Sequence, residues 1–233
     1  MLLCAAVCAG GVGGGVAVHG ATAAAPASPR QIRPAPCNPV YRARATRALR
    51  AIRRDASGKI KVERDRCGFV SEFQGDLPAG GPGSSRRVLD RYAAAFGLRS
   101  TWSELRVNST TGPSEDLEQV YRRVPLALSP RVTVLFHHRD IVSVGSDACP
   151  YVRGRIGSPR VSRSHAVAIA RRAVKDDPPP PTRPRRVVYP LRLTHPCSGG
   201  RSVLAWETWA GHRTIWIDAK TGRVLRVGEL PLA

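Results

Sequence analysis

The chain has 233 residues, 42% of them hydrophobic and 23% charged, which supports one or two modest cores and excludes disorder throughout by composition. Its formal charge is +20, and because only Lys59, Lys61, Lys175 and Lys220 are lysines, 33 of the 37 basic residues are arginines. Arginine is abundant together with alanine, glycine and proline, as GC-rich coding produces, so charge alone does not nominate nucleic acid as a partner.

Residues 1–25 read as a signal peptide. The first 29 residues carry no Asp, Glu, Lys or Arg, and an apolar run from Leu2 to Val18 leads to the small residues Ala23-Ala24-Ala25 before Pro26. The run has no basic start, and the glycines between Gly10 and Gly15 make it too broken for a membrane span. The expected location is outside the cell or on the exterior of its envelope. Cleavage would remove Cys4 and Cys8 and leave Cys37, Cys67, Cys149 and Cys197. None of these forms a C-x-x-C pair, which gives zinc or thioredoxin-like chemistry no local support. An oxidising compartment permits two disulfides, and of three possible pairings the sequence separations favour Cys37–Cys67 and Cys149–Cys197.

Residues 26–57 form a basic N-terminal segment. Within it Tyr41, Ala45, Ala48, Leu49 and Ile52 recur at helical spacing, with Arg42, Arg44, Arg47, Arg50, Arg53 and Arg54 on the other face. Such a helix suits a solvated surface, an anionic lipid surface or a groove. A first α+β unit is expected over 58–150. Short strands at 59–62 and 68–73 precede a Gly/Pro stretch at 78–83. Ser84 and Ser85 are candidate caps for a helix carrying Val88, Leu89, Tyr92, Ala93 and Phe96, with Gly97 ending it. Strands then follow at 105–110, 117–124, 131–138 and 141–144, the last two joined tightly through Arg139-Asp140. A second unit is expected over 160–227. It has a helix capped by Ser162 or Ser164 with Ala166, Val167, Ile169, Ala170, Ala173 and Val174 inward, a proline linker at 178–184, and strands at 187–193, 202–209, 213–217 and 223–227. Asp218 and Gly222 bound the final turn. The expected class is therefore α+β, two consecutive units that each pack a helix on an antiparallel sheet, followed by a tail at 228–233.

Leu204-Ala205-Trp206-Glu207 and, after a spacer, Trp216-Ile217-Asp218-Ala219-Lys220-Thr221-Gly222-Arg223-Val224-Leu225 resemble the end of the propeptide of thermolysin-like and fungalysin-like metallopeptidases, and the related PepSY domain. Upstream, Gln119 to Pro125, Val132 to His138, Ile141 to Val144, Ala94 to Leu98 and Phe69-Val70-Ser71 are similar to the propeptide domain of the same family. The resemblance spans roughly Gly58 to Val227 and rests on order and spacing rather than on one motif. Two features depart from it. Arg123 stands where the family has glycine, and Leu126-Ala127-Leu128-Ser129-Pro130 stands in place of a second glycine-containing segment. The resemblance implies a propeptide role: assisting the folding of a zinc peptidase, in the manner of an intramolecular chaperone, and inhibiting it until cleavage.

The peptidase itself has no counterpart in the sequence, because none of His19, His137, His138, His165, His195 and His212 forms the H-E-x-x-H that places two imidazoles on one metal. His137 and His138 are adjacent in an expected strand, where side chains alternate faces, so they do not read as a metal pair. No G-x-S-x-G occurs. The sequence thus predicts no catalytic residue, no metal site, no cofactor and no small-molecule substrate. Trp206 and Trp216 are expected in the core. The expected contacts with a partner are Glu207, Trp209, Glu229, Leu230 and Leu232: the leucines would fill a hydrophobic pocket, Glu229 would approach the zinc, and Pro231 would hinder cleavage. The expected partner is a secreted zinc metallopeptidase on another chain. A polyanion or anionic membrane surface engaged by the arginines, or a precursor truncated before its catalytic domain, are the alternative readings.

Overall fold

The computed structural model describes residues 37–150, 152–154, 156–174, 183–191 and 201–229. The expected signal peptide, most of the proline linker, Cys197, Leu230 and Leu232 lie outside the described residues. The first helix, α1 (Pro39–Asp55), begins where Asn38 accepts a hydrogen bond from the Val40 N–H at 2.9 Å and Pro39 occupies the first turn. Its stripe of Ala45, Leu49 and Ile52 is buried while Arg42, Arg44, Arg47, Arg50, Arg53 and Arg54 are exposed. Leu49 and Ile52 join the core of the first unit, so the helix belongs to that unit and not to a separate segment ending at 57. The apolar face that a lipid surface would require is already covered by the chain itself.

Cys37 and Cys67 form a disulfide with Cα atoms 5.3 Å apart, fastening the entry to α1 onto the turn between β1 (Ser57–Arg64) and β2 (Val70–Pro78). Cys149 is also disulfide-bonded. The helix expected from Ser84 to Gly97 is divided into α2 (Ser85–Asp90) and a 3-10 helix at Ala93–Phe96. Neither serine caps it: the Ser84 hydroxyl donates to the Gly81 carbonyl at 2.5 Å, and the Ser85 hydroxyl donates to Glu115. At the break Tyr92 leaves helical dihedrals (φ −116°, ψ 12°) and donates its hydroxyl to Asp55 of α1 at 2.8 Å. A tertiary bond here overrides a helical pattern. Gly97 does end the segment, at φ 75°, and a Cβ there would stand 2.6 Å from the Pro150 Cβ.

After α3 (Thr101–Glu104) come β3 (Leu105–Thr111), β4 (Ser114–Tyr121), the two-residue β5 (Val124–Pro125), β6 (Arg131–His137) and β7 (Asp140–Ser146). They complete an antiparallel sheet in the order β1-β2-β7-β6-β4-β3, with β5 on β4. Strict alternation in β6 sends Val132, Val134 and Phe136 to the core, where they meet Phe73, Leu117, Ile141 and the helices. The β6–β7 loop lies one residue earlier than expected, since His137 pairs with Asp140. His138, at φ 54°, is therefore a turn residue, and its ring lies 4.2 Å from that of His137 instead of on an opposite face. Among the described residues no three His, Cys, Asp or Glu side chains gather as metal ligands.

The second unit repeats the plan. Ser162 caps α4 (Arg163–Ala173) by accepting from the His165 N–H at 3.2 Å. The strands β8 (Arg185–Pro190), β9 (Ser202–Ala210), β10 (Arg213–Asp218) and β11 (Val224–Glu229) form an antiparallel sheet in the order β11-β10-β9-β8. Ala166 and Ala170 of α4 pack on Trp206, Ile215 and Ile217. The other face carries Val187, Tyr189, Ala205 and Trp216, and Ala127 from the segment after β5 covers it. That segment is tied to the second sheet by a parallel bridge between Leu126 and Val188 and by the Ala127 N–H donating to the Val188 carbonyl at 2.9 Å. The chain is thus an α+β protein with two antiparallel sheets.

Candidate functional site

The face of the second sheet opposite α4 carries a row of charged and aromatic side chains fixed by strand register. Arg185 of β8 is opposite Glu207 of β9, which is opposite Trp216 of β10, which is opposite Arg226 of β11. Directly opposed residues share a face and stand close enough to touch. Arg185 Nε donates to Glu207 Oε1 at 2.6 Å, and Trp216 Nε1 donates to Glu207 Oε2 at 2.7 Å. Arg185 Nη2 reaches Ser129 Oγ at 3.2 Å, and its guanidinium lies 5.1 Å from the centre of the Trp209 ring. Tyr189 meets Trp216 at 5.9 Å between ring centres. Burial raises the Tyr189 phenol above its ordinary value, partly offset by the charge and hydrogen bonding of Arg226.

This geometry redirects the expected partner contacts. Glu207 is 2% exposed and both its oxygens are engaged within the chain, so it is an anchor of the sheet rather than a surface contact. Its isolation among apolar residues in sequence gave no sign of burial; the signal was register, because only folding places Arg185 and Trp216 across from it. Trp209 is half-buried beneath Arg185, and part of its ring remains at the surface. Trp206 and Trp216 are buried on opposite faces of the sheet. Glu229 is the last residue of β11, in register with Arg213. Gly228 and Glu229 therefore belong to the strand and not to a tail, and Leu230 and Leu232 lie beyond the described residues. Arg185 and Arg226 were not singled out by sequence, since in a chain with this many arginines composition does not distinguish two of them.

Each Glu207 oxygen accepts one of these bonds, one from β8 and one from β10, so the carboxylate on β9 ties three neighbouring strands together. β11 is an outer strand of this sheet. Among the described residues β11 pairs with β10 alone.

No protein-family model matches the chain, and no curated protein matches it. Among solved structures it is similar to the Bacillus megaterium YpeB C-terminal domain, with 11% sequence identity and a TM-score of 0.36, over 84% of this chain and 98% of that one. That likeness is too distant to assign a family or a role to the residues above.

Proposed function

We propose that the chain is an exported, non-catalytic binding module that inhibits, or helps to fold, a zinc metallopeptidase carried on another chain. The observation that supports this reading is the edge strand β11. Its inner side is paired to β10 from Ile217–Val224 to Arg213–Glu229, and an edge strand offers a row of backbone donors and acceptors to an extended partner. Endopeptidases bind extended backbone, and β11 leads directly into residues 230–233. In the proposed complex Leu230 and Leu232 take one face of the extension and fill a hydrophobic pocket, Glu229 faces the metal, and Pro231 resists cleavage. The half-buried Trp209 supplies an aromatic contact at the rim.

The test is to immobilise the full chain, expose it to culture medium of the producing organism, and assay the retained zinc peptidase with and without the chain. A version ending at Glu229 keeps the whole of β11 and is expected to inhibit about tenfold less. Equal inhibition by that version would eliminate the role of residues 230–233. Failure of the full chain to retain or inhibit any zinc peptidase would eliminate the proposed function altogether.

A further inference from the structure

The first unit contains a cleft of about 830 Å³ that the sequence did not single out. Its wall includes five arginines, Arg86, Arg99, Arg106, Arg122 and Arg123, together with Trp102. The volume falls within the range of about 300–1,000 Å³ usual for small-ligand sites. The one carboxylate in the wall, Glu104, is buried and accepts the Arg99 backbone N–H at 2.8 Å. Among the described ion pairs only Arg106 has a carboxylate partner, Glu118. Arg86 donates through Nη2 to the Trp102 carbonyl at 2.8 Å and lies 4.5 Å from the Trp102 ring centre, while its Nε is buried without a hydrogen-bond partner. Arg99 donates to the Val152 carbonyl at 3.4 Å and its charge acts on Glu104, while Arg122 lies 5.7 Å from the ring centre of Tyr121.

The turn that presents Arg122 and Arg123 adds a second, independent observation. Tyr121 pairs with Val124, so these two arginines alone form the β4–β5 turn, and both have positive φ, 50° and 66°. Turns of this kind favour Asn-Gly, because longer side chains are strained in the left-handed region. Strain retained beside a cleft is a pointer to a functional demand on those side chains.

We propose that this cleft binds a ligand carrying two or more linked phosphate groups, a diphosphate unit being the minimum. A single carboxylate brings one charge and two acceptor oxygens, too few for Arg86, Arg122 and Arg123, none of which has a carboxylate partner among the described residues, and for Arg99, which shares only the charge of Glu104. A diphosphate brings several charges and enough oxygens to accept from several planar forks at once. Trp102, 57% exposed, forms an apolar wall for whatever the phosphates are attached to.

The test is calorimetric titration of the full chain with inorganic pyrophosphate at physiological salt, where a saturable single site is expected. The double variant Arg122→Asn, Arg123→Gly is expected to bind about tenfold more weakly or worse while melting no lower than the parent, because it installs the favoured turn residues. Removing two charges elsewhere, with Arg47→Gln and Arg50→Gln on the exposed face of α1, is expected to change affinity by less than about twofold. Citrate is expected to bind more weakly than pyrophosphate. The proposal is overturned by an unsaturable titration, by undiminished binding in the turn variant, by an equal loss in the α1 variant, or by citrate binding as tightly as pyrophosphate.

Discussion

Replacing Glu207 by alanine tests whether the row across the second sheet holds it together. The substitution leaves the Trp216 indole N–H buried without an acceptor, which costs about 1–3 kcal/mol. It also removes the partner of Arg185. Breaking a fully buried ion pair costs about 3–5 kcal/mol, but the Arg185 side chain is 40% exposed and water can take over its guanidinium, so only a fraction applies. The two contributions together predict a loss of roughly 3 kcal/mol. Glu207→Gln keeps an acceptor for Trp216 at the same volume and is expected to lose about 1–2 kcal/mol, the difference between a charged and a neutral hydrogen bond. The assay is equilibrium unfolding in urea followed by tryptophan fluorescence with disulfides intact, the midpoints being comparable if the m-value is unchanged. A cycle combining Glu207→Ala with Arg185→Met isolates the ion-pair share. A loss below about 1 kcal/mol for Glu207→Ala would refute the reasoning, because an unsatisfied buried indole alone should exceed it.

Two further outcomes are expected. Changing both Cys37 and Cys67 to alanine opens a loop of 30 residues and, on the chain-entropy relation, should cost about 3.6 kcal/mol; an unchanged urea midpoint would show that the bond does not constrain the unfolded chain. Burial raises the Glu104 carboxyl above its ordinary value of 4.5, outweighing the backbone N–H groups of Arg99 and Ser100 and the Arg99 charge, which favour the ionised form. Its contribution to stability is therefore full below pH 4.5 and is lost as pH rises through the raised folded value. Glu104→Gln should accordingly gain stability over the parent near pH 7, with the two melting curves converging in acid. A gain that persists undiminished at low pH would contradict this.

The sheets were readable where one face is buried and the pattern has period two, as in Val132, Val134 and Phe136, and α4 was readable from its alanine stripe and the Ser162 cap. Other features depended on contacts between distant residues. The break at Tyr92 follows from a bond to Asp55, and Ser85 is drawn from its cap by Glu115, thirty positions away. Glu207 looked like a surface acid because the arginine and indole that bury it come from neighbouring strands. The arginine cleft was invisible for the same reason, its wall being assembled from residues 86–106 and 120–123. Arg122-Arg123 contradicts the local rule for a two-residue turn, so sequence reading extended the preceding strand through it to Val124.

The segment from Arg122 to Ser129 begins in the arginine cleft and ends against the Glu207 row. Arg122, Arg123, Leu128 and Ser129 all have positive φ, and between these two pairs Ala127 is hydrogen-bonded to β8. Ser129 accepts from Arg185, the residue that holds Glu207. One short strap thus runs from the wall of the cleft to β8, at the opposite edge of the second sheet from β11. A displacement of the strap at the cleft would be carried to Arg185 and, through Glu207, to Trp216 of β10.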